Sequence, residues 1–371
     1  MEFRYNFHFG ACLEYNGEPT DPPVKVQFID IDKKVILHEI VIGPNTWTRP
    51  NHSHFIRWCI RVTDLNDAIL WEHTLDLSGK RVIIAYPYTT LGDFLCWMPV
   101  YERFRIEHNC HMTVQCSRIQ YINSVCKSYP NIFFTTDYKN LINEGVYAMY
   151  EPSFQIYDKV FWDGKYPRYS TPQQVVSECF GLKHRSLPLR IDCDDNRPDI
   201  DGKYVCITEY SQSNFEKNWL YPNGWQTVAN FLMKEGYKVV PISMEPTNLF
   251  GEGIINRTGL SITEVARYIK YADCVIGAAT AAICIGIATN TPSISIITNA
   301  WMDVDFPIHF VYNHAEETCF GCYTKKKQTK ESCDKKQHVD WAPNWIDVPE
   351  CSLNISPDRV IEKIKYVLNL L

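Results

Sequence analysis

Four thiols stand late in the sequence in the order Cys319, Cys322, Cys333 and Cys351, the first two as a C-x-x-C pair around Phe320 and Gly321. A knuckle of this kind followed by two further thiols can wrap one tetrahedral metal ion, and an all-sulfur shell suits zinc or ferric iron. A closed shell leaves no open position for water or substrate, so the chemistry it points to is structural. The intervening stretch carries Lys325, Lys326, Lys327, Lys330, Lys335 and Lys336, few aliphatic residues and no apolar periodicity. Such a segment has too little to bury, and metal ligation would supply its folding energy. His314 and His338 are near enough in sequence to compete as ligands, with a solvated surface role as the alternative.

Three other stretches have residue types suited to group transfer. Tyr86-Pro87-Tyr88-Thr89-Thr90-Leu91-Gly92-Asp93 lies between a short apolar strand and a helix. A glycine at such a turn lets backbone approach a ligand, and Asp93 either caps the helix or takes a proton from an attacking hydroxyl. Ser211-Gln212-Ser213-Asn214-Phe215-Glu216-Lys217-Asn218-Trp219 follows another strand. Its hydroxyls (Ser211, Ser213), amides and the Lys217 charge can hold a diphosphate; the alternative is a solvated loop. In Ile276-Gly277-Ala278-Ala279-Thr280-Ala281 small residues would expose helix N-terminal amides around Thr280 to an anion, or serve only close helix packing.

The elements that must position these residues follow from periodicity. Alternation at Phe3, Tyr5, Phe7 and Phe9, at Val24, Val26 and Phe28, and at Ile56, Trp58, Ile60 and Val62 predicts an N-terminal all-β module over 1–78, a sandwich or barrel. Gly17, Pro22-Pro23, Gly43-Pro44-Asn45 and Leu65-Asn66-Asp67 punctuate it as turns. Strands then alternate with helices: strand 81–85, helix 94–106, strand 112–116, helix 119–128 and strand 132–135 in a first half spanning 79–190. A second half over 200–312 has strand 204–207, helix 222–235 and strand 238–241, followed by a helix to Tyr271 opened by the capping box of Ser261 and Glu264. Strand 274–276, helix 280–288 and strand 293–297 complete it. The expected fold is therefore α/β, with two Rossmann-like halves facing a cleft, a cysteine finger over 313–355 and a C-terminal helix over 356–371.

Composition bounds the function. The chain has 371 residues, 45% of them hydrophobic and 22% charged, enough for two or three domains with sizeable cores. Its net charge of −6 argues against nucleic acid as a partner, and no stretch reaches the ~18 apolar residues of a membrane span. Fifteen cysteines, an odd number spread through strands and helices, fit reduced thiols, and Met1-Glu2-Phe3-Arg4 does not open a signal peptide; a cytoplasmic location is expected.

Taken together, Gly92-Asp93 with Pro99, Lys217-Asn218-Trp219 with Gly224-Trp225, and the small-residue turn before Pro292 resemble the bacterial ADP-heptose transferases of the GT-B class. The β-rich N-terminal region and the cysteine quartet narrow the resemblance to the autotransporter heptosyltransferases, over nearly the whole length. The resemblance implies a transferase moving heptose from ADP-heptose to Ser/Thr hydroxyls of an autotransporter adhesin, assembled as a homo-oligomer of up to twelve copies. It implies Asp93 as catalytic base, Lys217 as the group that neutralises the donor phosphates, and Ser211, Ser213, Gly92 and Thr280 as donor contacts. It implies structural Fe(III) on Cys319, Cys322, Cys333 and Cys351, zinc being the alternative. The sequence departs from the family where an acid, a glycine and a later histidine are common: Ala279, Ala281 and Cys284 stand there. A lipopolysaccharide-core heptosyltransferase, an inactive nucleotide-sugar-binding paralogue and a zinc-ribbon interaction protein are the other readings.

Overall fold

The computed structural model describes residues 1–52, 54–85, 90–117, 119, 122–152, 171–211, 218–298, 308–312, 336–337 and 348–370. The N-terminal strands are β1 (Glu2–His8), β2 (Cys12–Asn16), β3 (Val24–Asp30), β4 (Val35–Ile42), β5 (Thr46–Thr48), β6 (Trp58–Thr63) and β7 (Ile69–Thr74). They divide between two sheets. β4-β3-β6-β7 is a four-stranded antiparallel sheet, in which β3 turns Val24, Val26 and Phe28 inward at period two. The turns at Asn45 and Asp67 sit where the sequence punctuates the strands, both with positive φ, and the Asp64 carboxylate accepts from the amides of Asn66 and Ala68.

β1, β2 and β5 take a different course from the self-contained sandwich or barrel expected. β1 pairs antiparallel with β2 but parallel with β11 (Ala148–Tyr150), so the hairpin extends the sheet of the next half. Period-two alternation is the same whichever neighbour a strand finds, and sequence could not choose between them. The two sheets meet over aromatic side chains, with Trp71 of β7 lying 6.0 Å from Phe3 and 5.4 Å from Tyr5 of β1 between ring centroids.

The first α/β half consists of β8 (Arg81–Ile84), α1 (Leu91–His108), β9 (His111–Gln115), α2 (Asn123–Lys127), β10 (Ile132–Thr135), α3 (Lys139–Ile142), β11 and α4 (Pro172–Cys179). Its parallel strands run in the order β10-β9-β8-β11. The helix expected over 119–128 shortens to one turn and a half. The second half holds β12 (Tyr204–Thr208), α5 (Gly224–Lys234), β13 (Lys238–Pro241), α6 (Ile262–Lys270), β14 (Cys274–Ala278), α7 (Ala281–Ala288), β15 (Ser293–Ile297) and β16 (His309–Tyr312). All five strands are parallel, in the order β13-β12-β14-β15-β16. The capping box of Ser261 and Glu264 opens α6 as the sequence predicts. The helix Pro357–Val367 packs back on α5 and β16.

The halves share packing. One apolar cluster runs from the N-terminal sheets through α1 into α6 and α7, where Cys96 and Cys284 lie sulfur to sulfur at 3.8 Å. Residues 184–202 strap the two together: the Asp192 amide donates to the Ser124 carbonyl of the first half, while Asp195 pairs with Lys270 and its carbonyl accepts from the Tyr271 hydroxyl of the second.

Candidate active site

In an open parallel sheet, ligands bind beyond the carboxyl ends of the strands where the winding order reverses. In the second half that reversal falls between β12 and β14, the first and third strands of its series. The strands lie so close there that a Cβ on Gly277 would stand 2.0 Å from Cγ2 of Thr208. The two stretches that leave their carboxyl ends are those singled out in the sequence, Ser211–Trp219 and Ala279–Ala281. In the first half the reversal falls between β8 and β11, and β8 leads into Thr90–Asp93.

The topology brings two of these three turns face to face. Gly92, in the first turn of α1, lies against the N-terminus of α7: a Cβ built on it would sit 3.5 Å from the Ala281 nitrogen. A side-chain methyl there would make an ordinary contact, so the two first turns lie in van der Waals reach of one another. Asp93 is not the N-cap of α1. That position belongs to Thr90, in extended backbone, and the Thr90 hydroxyl donates to Asp93 Oδ2 at 2.6 Å. The contact orients a half-buried carboxylate at the positive end of an 18-residue helix.

Thr280 is the N-cap of α7, also extended, and makes no side-chain cap bond. Its hydroxyl is buried and has no hydrogen-bond partner among the described residues. A buried polar atom without a partner costs ~1–3 kcal/mol, so this hydroxyl, beside the free amides of the first turn, is suited to a polar ligand atom.

Ser211 lies at the carboxyl end of β12, its amide donating to Asn218 Oδ1 at 2.6 Å. That bond closes the polar stretch on itself, from its first residue to its eighth. Ser213 and Lys217 lie outside the described residues, as do Cys319, Cys322 and Cys333. Cys351 is buried in the short helix Glu350–Leu353. The strand before it, Val348–Pro349, pairs antiparallel with Lys336–Gln337, so the residue three places after Cys333 lies opposite the residue two places before Cys351. Among the described residues no group of three or more His, Cys, Asp or Glu is placed to hold a metal ion.

Sequence reasoning passed over Thr90, Glu209 and Ser352. Glu209 is buried at the end of β12; its carboxylate accepts from the Thr247 hydroxyl and its amide donates to Ser243 at 2.9 Å, tying down the turn after β13. Burial pushes its carboxyl above the usual range. Thr90 at three residues before an acid was a readable signal, since that spacing spans one helical turn. The other two depend on partners distant in sequence.

No protein-family model matches the chain. It is 24% identical over 377 residues to BimC of Burkholderia thailandensis, named an inactive autotransporter heptosyltransferase, with 98% of this chain and 85% of BimC covered. To the autotransporter heptosyltransferase BAHTCr of Citrobacter rodentium it is 28% identical over 336 residues, 86% of this chain and 78% of that one. The crystal structure of TibC from enterotoxigenic Escherichia coli, an iron-containing dodecameric glycosyltransferase, superposes with a TM-score of 0.82 at 25% identity, over 100% of this chain and 96% of TibC. Two parallel-stranded halves with their sites at facing switch points, joined to an N-terminal antiparallel sheet, make this a GT-B-like α/β fold. Within that class, the chain is similar over most of its length to the autotransporter heptosyltransferases.

Proposed function

We propose that this protein transfers heptose from ADP-heptose to Ser/Thr hydroxyls of an autotransporter adhesin. The observation that carries the reading is the meeting of the first turns of α1 and α7, one presenting Asp93 oriented by Thr90, the other a buried Thr280 hydroxyl without a hydrogen-bond partner among the described residues. Among relatives, TibC has been crystallised with ADP-D-beta-D-heptose.

Asp93 accepts the proton of the acceptor hydroxyl as oxygen attacks the anomeric carbon. The bond to the leaving diphosphate breaks, and the negative charge that develops on ADP is met by Lys217, Ser211, Ser213 and the amides beside Thr280, with Gly92 bringing the halves together around the sugar. The four-cysteine set fits a structural ion. Cys351 is buried and lies two residues from the strand pair that brings the two later thiol segments together, and thiolates suit ferric iron or zinc. Cys319, Cys322, Cys333 and Cys351 would hold Fe(III), or zinc in its place, and the ion would supply cross-linking of a lysine-rich segment. Division of the chain near residues 78, 190–200, 312 and 355, homo-oligomerisation up to a ring of twelve and a cytoplasmic site of action belong to the same proposal.

One observation favours a second reading. Ala279, Ala281 and Cys284 replace the acid, glycine and histidine common in this turn, and BimC carries the name inactive. The alternative is a nucleotide-sugar-binding paralogue without transfer. Intact-mass spectrometry of a candidate adhesin co-expressed with this chain separates the two: heptose adducts on adhesin serines are expected. An adhesin that stays unmodified, while a TibC control modifies it and this chain binds ADP, would leave the paralogue.

A further inference from the structure

Two thiols from opposite halves meet directly behind the facing turns. Cys96 lies on α1 three residues after Asp93, and Cys284 on α7 three residues after Ala281. Their sulfurs are 3.8 Å apart across 188 residues of sequence, and both side chains are buried. The contact reaches the site itself: a Cβ on Gly92 would stand 3.7 Å from the Cys284 sulfur. Cys206 and Cys274 are buried differently, inside the parallel sheet of one half, where desolvation pushes both thiols well up. Thiols so placed stay inert. The pair of Cys96 and Cys284 lies between two halves instead, so parting of the halves uncovers both sulfurs together.

The strap 184–202 ties the halves by hydrogen bonds and by the ion pair of Lys270 with Asp195, which is exposed and so holds little. A covalent bond at the facing turns would outweigh it. We propose that Cys96 and Cys284 form a redox site, which a hydroperoxide converts to a disulfide that locks the two halves at the Asp93 and Thr280 turns. One sulfur, as thiolate, attacks the O–O bond; it keeps one oxygen as sulfenic acid, and the other leaves as hydroxide and takes a proton to become water. The second sulfur then attacks the sulfenic sulfur, the S–S bond forms, the S–O bond breaks and a second water leaves. Two thiols are oxidised, one peroxide is reduced to two waters, and the thiol protons end in that water. A disulfide needs its sulfurs ~2.05 Å apart, so the pair must close by less than about 2 Å. Side-chain rotation on two helices already in contact suits that approach. The site stands on geometry alone, whereas its effect on transfer rests on the proposed function.

The test treats the full reduced chain with hydrogen peroxide, alkylates the remaining thiols and maps the peptides by mass spectrometry. A peptide linking Cys96 to Cys284 that disappears on reduction with dithiothreitol is expected. An oxidised chain in which these two cysteines are alkylated, or carry separate sulfinic acids, overturns the site. Transfer to an adhesin by the peroxide-treated chain is expected to fall by at least about tenfold and to return on reduction, because product release needs the halves to part. Cys96→Ala, which cannot form the bridge, should keep its transfer rate through the same treatment. A loss in that variant equal to the loss in the unaltered chain assigns the sensitivity to other thiols and overturns the lock. Should Cys96→Ala not fold, the time course of the unaltered chain decides: a loss of transfer that runs ahead of the linked peptide overturns the lock equally. Should the reduced chain transfer nothing, the proposed function falls instead, and mapping alone decides the disulfide.

Discussion

Asp93 owes its place to two residues with no charge of their own. Thr90 fixes the carboxylate through a 2.6 Å hydrogen bond, and Gly92 beside it places the first turn of α1 next to Ala281 of the other half. Asp93→Asn keeps the shape and the contact with Thr90 but removes the basic oxygen pair. Transfer is expected to fall by about 10²–10⁴-fold, with ADP affinity retained, in an assay of sugar transfer beside calorimetry. Near-normal turnover in that variant would remove Asp93 from the base role. The residue was legible in the sequence because an acid at the end of a strand-to-helix turn is a local pattern. Its alternative role as N-cap was equally legible, and backbone dihedrals decided against it: Thr90 is the extended residue and Asp93 is already helical.

At the scale of elements, the second half depends on how closely β12 and β14 pair. Gly277 faces Thr208 across that pair, and an added Cβ would collide with a buried threonine methyl and press on its carbonyl at 3.1 Å. Gly277→Ala is expected to destabilise the chain by about 1–3 kcal/mol in denaturant unfolding. Adding Thr208→Ser, which removes the methyl, should recover part of the loss; no recovery would mean the strain is stored elsewhere. Seven of the parallel strands were legible as apolar runs, since strands buried on both faces need no alternation, whereas the short β11 and β16 were not. β4 was not, because its Val35, Ile36, Ile40 and Val41 are exposed and break the inward–outward pattern. α2 was overextended in the sequence reading for a related reason. Ile119 and Ile122 have helical spacing, yet α2 begins only at Asn123, and the Ile122 amide donates to the Ile119 carbonyl ahead of it.

The whole molecule has a pH response that follows from burial. Desolvation pushes His73, His108 and His309 below the ordinary value of 6.5; neighbouring Lys80 adds to the shift at His73 and Lys363 at His309. Below that value the unfolded chain binds more protons than the folded one, so stability must fall as pH drops through about 6.5. Glu209 has the opposite sign: its carboxyl is raised by burial, takes its proton earlier in the folded state, and adds stability as pH falls toward 4.5. The thermal midpoint should therefore decline between about pH 7.5 and pH 5.5, and decline less in His108→Gln, whose ring packs 4.4 Å from Phe104. A midpoint that rises on acidification over that range would reverse the assignment.

By itself the sequence determined the alternation of most strands and helices in the two α/β halves, the capping box that opens α6 and the spacing of the four thiols, because each of these is set by neighbours within a few residues. Tertiary structure alone decided that β1 joins the parallel sheet, that Gly92 meets Ala281, and that Ser352 closes on Asn218 and Leu220 from more than 130 residues away. Such contacts leave no periodic trace: a glycine, an alanine or a serine looks the same in any loop. Only the closure of long chain segments over a shared core settles which of them is brought to the site.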